Sequence, residues 1–194
     1  MRRNRWPREP PQSGRRRCRA GRALIMRAAA MPIAPGDAEA GTTQYLSFVC
    51  AGEEYGVEIL CVQEIKGWEG VTRVPYTPPY LLGVMNLRGV IVPVIDLRLR
   101  FGLPPRAMDG STVVIVVRVR AGAAEKTAGV VVDAVSEVYS VAPANIRQAP
   151  DLGGSPDGAC VRGLTTVDEK MVMLLDIDRL VASCIDAPER AGTA

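Results

Sequence analysis

The chain has 194 residues, 47% of them apolar, with 24 basic and 21 acidic side chains. That suffices for one domain or two small lobes with a shared core, and argues against wholesale disorder. No run of about eighteen uncharged apolar residues is present, so no helix of this chain is predicted to cross a membrane.

The net charge of +3 is unevenly placed: residues 1–40 carry +7 and the rest carries −4. This basic stretch, rich in Arg, Pro, Ala and Gly, has no apolar periodicity. Binding to nucleic acid or to an anionic membrane is one reading of it. A twin-arginine or secretory signal is a second, but Arg27 splits its only candidate apolar region. The favoured reading is a disordered extension over 1–41, with Met26 and Met31 as alternative first residues.

Folded sequence is expected from residue 42 to 187, with 188–194 a flexible end. "QYLSFVC" reads as a first strand, and a turn leads to Gly56 and a second strand ending near Ile65. A hairpin with its turn at Arg88-Gly89 follows. After it, Val90–Ile95 has no polar face and is predicted to be buried on both sides, with Pro93 placing it at an edge or bend. Asp96 is positioned to cap a short helix that Gly102 and Pro104 would stop.

The same order then returns. "TVVIVVRV" is a strand, and "AGVVVDAVSEV" (Ala128–Val138) lies over "YGVEILCVQEI" (Tyr55–Ile65) at an offset of 73, matching Gly56 with Gly129, Val62 with Val135 and Glu64 with Glu137. "GLTTVDEKMVMLLD" (Gly163–Asp176) lies over "GVMNLRGVIVPVID" (Gly83–Asp96) at an offset of 80, matching Arg88-Gly89 with Asp168-Glu169 and Asp96 with Asp176. The extra seven residues fit in the Gly/Pro-rich loop "QAPDLGGSPDGA". Two matches in one order mark an internal duplication. Short strands separated by turns predict small β-barrels, and a barrel of about 60 residues is marginal alone. Two copies would therefore share an interface and leave a groove between them.

Catalysis is disfavoured. With no histidine, the chain lacks the commonest general base, the Ser-His and Cys-His pairs and imidazole metal ligands. No GxxxxGK[ST] phosphate loop occurs. The five cysteines (18, 50, 61, 160 and 184) form no CxxC pair, and Cys50 and Cys61 read as small buried hydrophobes in a reducing, cytoplasmic setting. Neither metal nor cofactor is indicated. A nucleic-acid-binding barrel is disfavoured by the acidic body and by nine scattered aromatic residues that form no stacking platform.

In order along the chain, "VQEI", "GVMNLRG", "VPVIDLR", "TVVIVV" and "GLTTVDEKMVMLLDIDRLV" resemble CheW, the coupling-protein family of bacterial chemotaxis, from about Thr42 to Ile185. The resemblance implies a mostly β fold of two tandem five-stranded Src-homology-3-like barrels with short helices. It also implies a non-enzymatic adaptor between chemoreceptor cytoplasmic tips and the regulatory domain of the histidine kinase CheA. Coupler and kinase domains would alternate in rings, with contacts between couplers, in cytoplasmic arrays that meet the inner membrane only through receptors. Residues carried over as receptor-facing are Val62, Glu64, Gly83, Arg88 and Val113. The kinase-facing surface follows no motif, and no residues are assigned to it. Read without the resemblance, Arg88 is a solvated turn residue, Glu64 an exposed strand residue, Val62 and Val113 core, and Gly83 a turn or bulge glycine. A stand-alone coupler is favoured over the coupling domain of a CheV-type protein or a kinase fragment.

Overall fold

A computed structural model describes residues 41–121, 124–149 and 160–185. The basic extension, most of the Gly/Pro-rich loop and the C-terminal end lie outside them. Ten strands and two short helices follow one another: β1 Thr43–Cys50, β2 Glu53–Glu58, β3 Val62–Gly67, β4 Leu81–Leu87, β5 Val90–Asp96, α1 Leu97–Arg100, β6 Val113–Ala121, β7 Ala124–Val132, β8 Ala134–Val141, β9 Val161–Val167, β10 Lys170–Leu175 and α2 Ile177–Ile185. A 3-10 turn, Ile59–Cys61, joins β2 to β3.

The strands form two five-stranded sheets, in the orders β8-β1-β2-β10-β9 and β3-β6-β7-β5-β4. Under the sequence repeat, β1–β5 correspond to β6–β10, and the two orders then become identical. Each sheet nevertheless combines the first two strands of one repeat with the last three of the other. The chain crosses between sheets at Ile59–Cys61 and again at Asp133. The duplication is thus interlaced rather than laid end to end, and both repeats contribute to each lobe.

Isolated bridges draw each sheet toward closure. Thr72 and Val84 exchange two backbone hydrogen bonds of 2.8 Å, as do Arg147 and Leu164 in the equivalent place. Gly83 makes the first closure possible. It is buried at φ +144°, and a Cβ there would stand 2.2 Å from the Thr72 carbonyl oxygen. Only glycine adopts that backbone without strain.

The core has three parts, and β6 shows why. Ile115 and Val117 point into a large cluster between the sheets with Phe48, Val57, Ile95, Leu97, Leu175 and Leu180. Val114 and Val116, on the opposite phase, fill one lobe with Met85, Val92, Val94 and Val131. Tyr45, Val141, Val172 and Leu174 fill the other. A strand buried on both faces carries no polar alternation, hence "VVIVV". Cys50 is fully buried, and burial pushes its thiol up to about 12, whereas Cys61 is half-buried.

The expected burial of Val90–Ile95 holds from Val92 onward. Val90 and Ile91 are 58% and 62% exposed, because the hairpin arm runs beyond the core before β5 reaches β7. Pro93 is not on an edge strand, since β5 lies between β4 and β7. It marks a bend instead: pairing with β7 begins at the next residue, Val94.

Both helix caps form. Asp96 accepts from the Leu99 amide at 3.2 Å and Asp176 from the Arg179 amide at 3.0 Å. Past α1, Gly102 (φ +67°) donates to Leu99 and Leu103 donates to Arg98 at 2.9 Å, the paired bonds of a Schellman stop.

Candidate interaction surface

The two-residue turn at Arg88-Gly89 has φ of +50° and +90°, the mirror-image type I′ geometry whose twist matches a β-hairpin. The Asn86 carboxamide oxygen accepts from the Gly89 amide at 2.7 Å and holds the turn. Arg88 therefore leaves a fixed backbone. Its Nη2 donates to Glu64 Oε2 at 2.6 Å; the arginine side chain is 81% exposed and the glutamate 16%.

A bulge aims Glu64 at this tip. Val62 pairs with Val117 and Glu64 with Val116, so Gln63 is an extra residue in β3. Such an insertion turns the strand and redirects its side chains. Val62 is half-buried against the inter-sheet core and borders a shallow surface groove of about 420 Å³ beside Glu64 and Arg88. Three of the five residues singled out from the sequence thus meet on one surface. The glutamate is largely covered rather than exposed.

The other two stand apart from that groove. Gly83 is buried beneath Thr72, where it shapes the lobe and offers no side chain. Val113 opens β6 opposite Gly67 and packs, half-buried, on the inter-sheet core.

Leu60, Gln63, Leu87 and Arg118 also line the groove, and none was singled out from the sequence. Leu60 lies in the apolar run "EILCV", which gives no sign that the 3-10 turn leaves it 86% exposed. Arg118 did leave a signal: it is the one charge among seven residues of "VVIVVRV", at the phase of Val114 and Val116 but exposed.

The equivalent surface on the other lobe has different chemistry. Glu137 stands in place of Glu64, but Asp168 replaces Arg88, so no ion pair forms between those positions. Asp133, in place of Leu60, turns inward. It accepts from Arg98 Nε and Nη2 at 2.8 and 2.7 Å and from the Ala51 amide at 2.8 Å, and the Arg98 guanidinium holds its carboxyl below the usual range. That lobe uses the position to tie α1 to the sheet crossing.

Among the described residues, no three Cys, Asp or Glu side chains gather closely enough to hold a metal. Two interlaced β lobes with a mixed apolar and charged surface define a double small-barrel protein with a candidate protein-contact face.

Comparison with known proteins supplies the family. The model of the CheW-like domain matches residues 44–184, and the chain belongs to the CheW family. It is 43% identical over 140 residues to the chemotaxis protein CheW of Klebsiella aerogenes, covering 72% of this chain and 82% of that one. Against CheW of Bacillus subtilis it is 31% identical over 134 residues, 69% and 83% of the two chains. The crystal structure of the scaffolding protein TtCheW from Thermoanaerobacter tengcongensis superposes with a TM-score of 0.64 at 34% identity, covering 72% of this chain and 87% of that one.

Proposed function

We propose that this protein is a non-enzymatic cytoplasmic adaptor that couples the cytoplasmic tips of chemoreceptors to the regulatory domain of a CheA-type histidine kinase. Receptor contact is assigned to the surface of Val62, Glu64 and Arg88; Gly83 and Val113, which the family resemblance also carries over, stand apart from it. The observation that carries this reading is the Arg88 guanidinium, fixed on a type I′ tip by Glu64 at 2.6 Å yet 81% exposed. An exposed ion pair contributes little to folding, about 0–1 kcal/mol. A preorganised arginine beside apolar surface is, in contrast, well suited to an interface.

The test replaces Arg88 by alanine and by glutamate and measures binding to a soluble receptor cytoplasmic fragment, kinase activation and melting. Melting should change by about 0.5 kcal/mol or less. Binding should weaken by about 2 kcal/mol, roughly thirtyfold, for Arg88→Ala. Arg88→Glu should be worse, because it sets a second carboxylate against Glu64. The parent chain should raise kinase activity with receptor present yet remain unlabelled by radioactive ATP. Unchanged receptor binding in both variants would return Arg88 to a solvated turn residue.

A further inference from the structure

The groove beside Arg88 contains a second guanidinium. Arg118 rises, 57% exposed, from the face of β6 that carries Val114 and Val116, between the buried Val117 and Val119. With the Gln63 carboxamide oriented to satisfy its neighbours, its oxygen accepts from Arg118 Nε at 2.7 Å and Nη2 at 2.8 Å. Gln63 is the extra residue of the β3 bulge, so the insertion that aims Glu64 at Arg88 also fixes Arg118. The nearest carboxylate on the far side is Glu125, whose Oε2 is 3.9 Å from Nη1 in a pair exposed by 57% and 62%. That contact is long and wet, hence weak. Arg118 is therefore oriented by a neutral amide and little neutralised. Glu64, the one carboxylate lining the groove, is already engaged by Arg88.

Leu60 borders the same groove and is 86% exposed, an apolar side chain left largely uncovered among the described residues. The pseudo-equivalent positions on the other lobe show that the fold does not require this arrangement. Val49 stands in place of Arg118, Asp133 in place of Leu60 and Asp168 in place of Arg88. At these positions the other lobe thus lacks both cations and the exposed leucine.

We infer that Arg118 is a partner-reading residue of this groove, taking a carboxylate of the docked segment while an apolar side chain of that segment covers Leu60. The occupant is a receptor segment with an acidic and an apolar residue on one face, and in this the inference rests on the receptor-docking reading above. Charge complementarity argues for it: the groove presents one unspent positive charge beside one uncovered leucine. A carboxylate can meet the two parallel N–H groups of a guanidinium, and Arg118 needs only to exchange its neutral amide partner for a charged one, a stronger bond.

The experiment measures binding of a soluble receptor cytoplasmic fragment to the parent, Arg118→Glu, Arg118→Lys, Leu60→Ala and Arg88→Glu chains, at about 0.05 M and 0.5 M salt, with melting recorded for each. Arg118→Glu should melt like the parent and bind about tenfold or more weakly at low salt. Its deficit should shrink at high salt, where the screening length falls to a few ångströms. Arg118→Lys should recover part of the affinity, and Leu60→Ala should lose several-fold with no relief from salt. Parental binding by Arg118→Glu together with a large loss in Arg88→Glu would overturn this inference and leave the docking surface standing. Parental binding by both would remove the docking reading and the inference with it. A deficit that lysine does not relieve and salt does not change would show that Arg118 acts through shape, which also overturns a carboxylate partner.

Discussion

Gly83 separates an architectural role from a contact role most sharply, and Gly83→Ala is the perturbation that tests it. A Cβ at this position would lie 2.2 Å from the Thr72 carbonyl oxygen, 2.8 Å from its carbon and 3.0 Å from the Arg73 Cα. All three neighbours are backbone, so no side-chain rotation relieves the clash. The carbonyl cannot withdraw freely, because it accepts from the Val84 amide in one of the two 2.8 Å bonds of the Thr72–Val84 bridge. Keeping the bridge means keeping φ at +144°, a region that costs a non-glycine residue about 1–3 kcal/mol. Releasing it gives up two hydrogen bonds worth about 1 kcal/mol each. Either route leads to about 3 kcal/mol once residual overlap is included, or roughly 10 °C in Tm for a domain of this size. Gly163 provides the internal comparison. There the added carbon would meet the Ile146 Cγ2 at 2.6 Å and the Arg147 carbonyl oxygen at 2.8 Å, and its backbone lies outside the left-handed region. Gly163→Ala should therefore cost less. Urea titration of both variants, with receptor binding measured on the folded fraction, supplies the answer. Gly83→Ala within 0.5 kcal/mol of the parent would refute the closure argument.

Two further outcomes are expected. Asp133→Asn should destabilise the fold by about 2 kcal/mol, since it weakens a charge-assisted contact between side chains that are only 18% and 11% exposed. Asp133 titrates below its ordinary range in the folded chain, so its contribution is fully present above about pH 4 and is lost as pH falls through the lower folded value. Urea midpoints between pH 2 and 5 should fall less steeply in the variant, and a parallel fall would show that Asp133 is not the titrating group. A chain starting at Ala40 should melt within a few degrees of the full chain, and a large loss of cooperativity would mean that residues 1–39 pack on the lobes.

The turn and the helix caps were legible because they are local, whereas a contact role for Val62, Glu64 and Arg88 came only with the family resemblance. The Arg88-Gly89 turn follows from a two-residue loop between apolar runs, and the caps Asp96 and Asp176 follow from the position of an acid just before a helix. Pairing of Glu64 with Arg88 spans 24 residues and depends on a bulge that no periodicity announces. The exposure of Leu60 depends on the crossing at which its 3-10 turn sits.

By itself the sequence determined the duplication and the strand-rich class, because each is written in spacing along one strand or between two copies. Only the tertiary structure decided which copy each strand joins. The repeats carry nearly the same apolar pattern, so β8 and β3 are equally plausible neighbours for β1. Distance breaks the tie. Beside β1, β3 would have to run parallel to β2 on the far side of β1, which means returning along the six residues of β2, about 20 Å. Its link to β2 has three residues, which reach at most about 11 Å. The chain runs on into the other sheet instead, and the second copy supplies the missing strands.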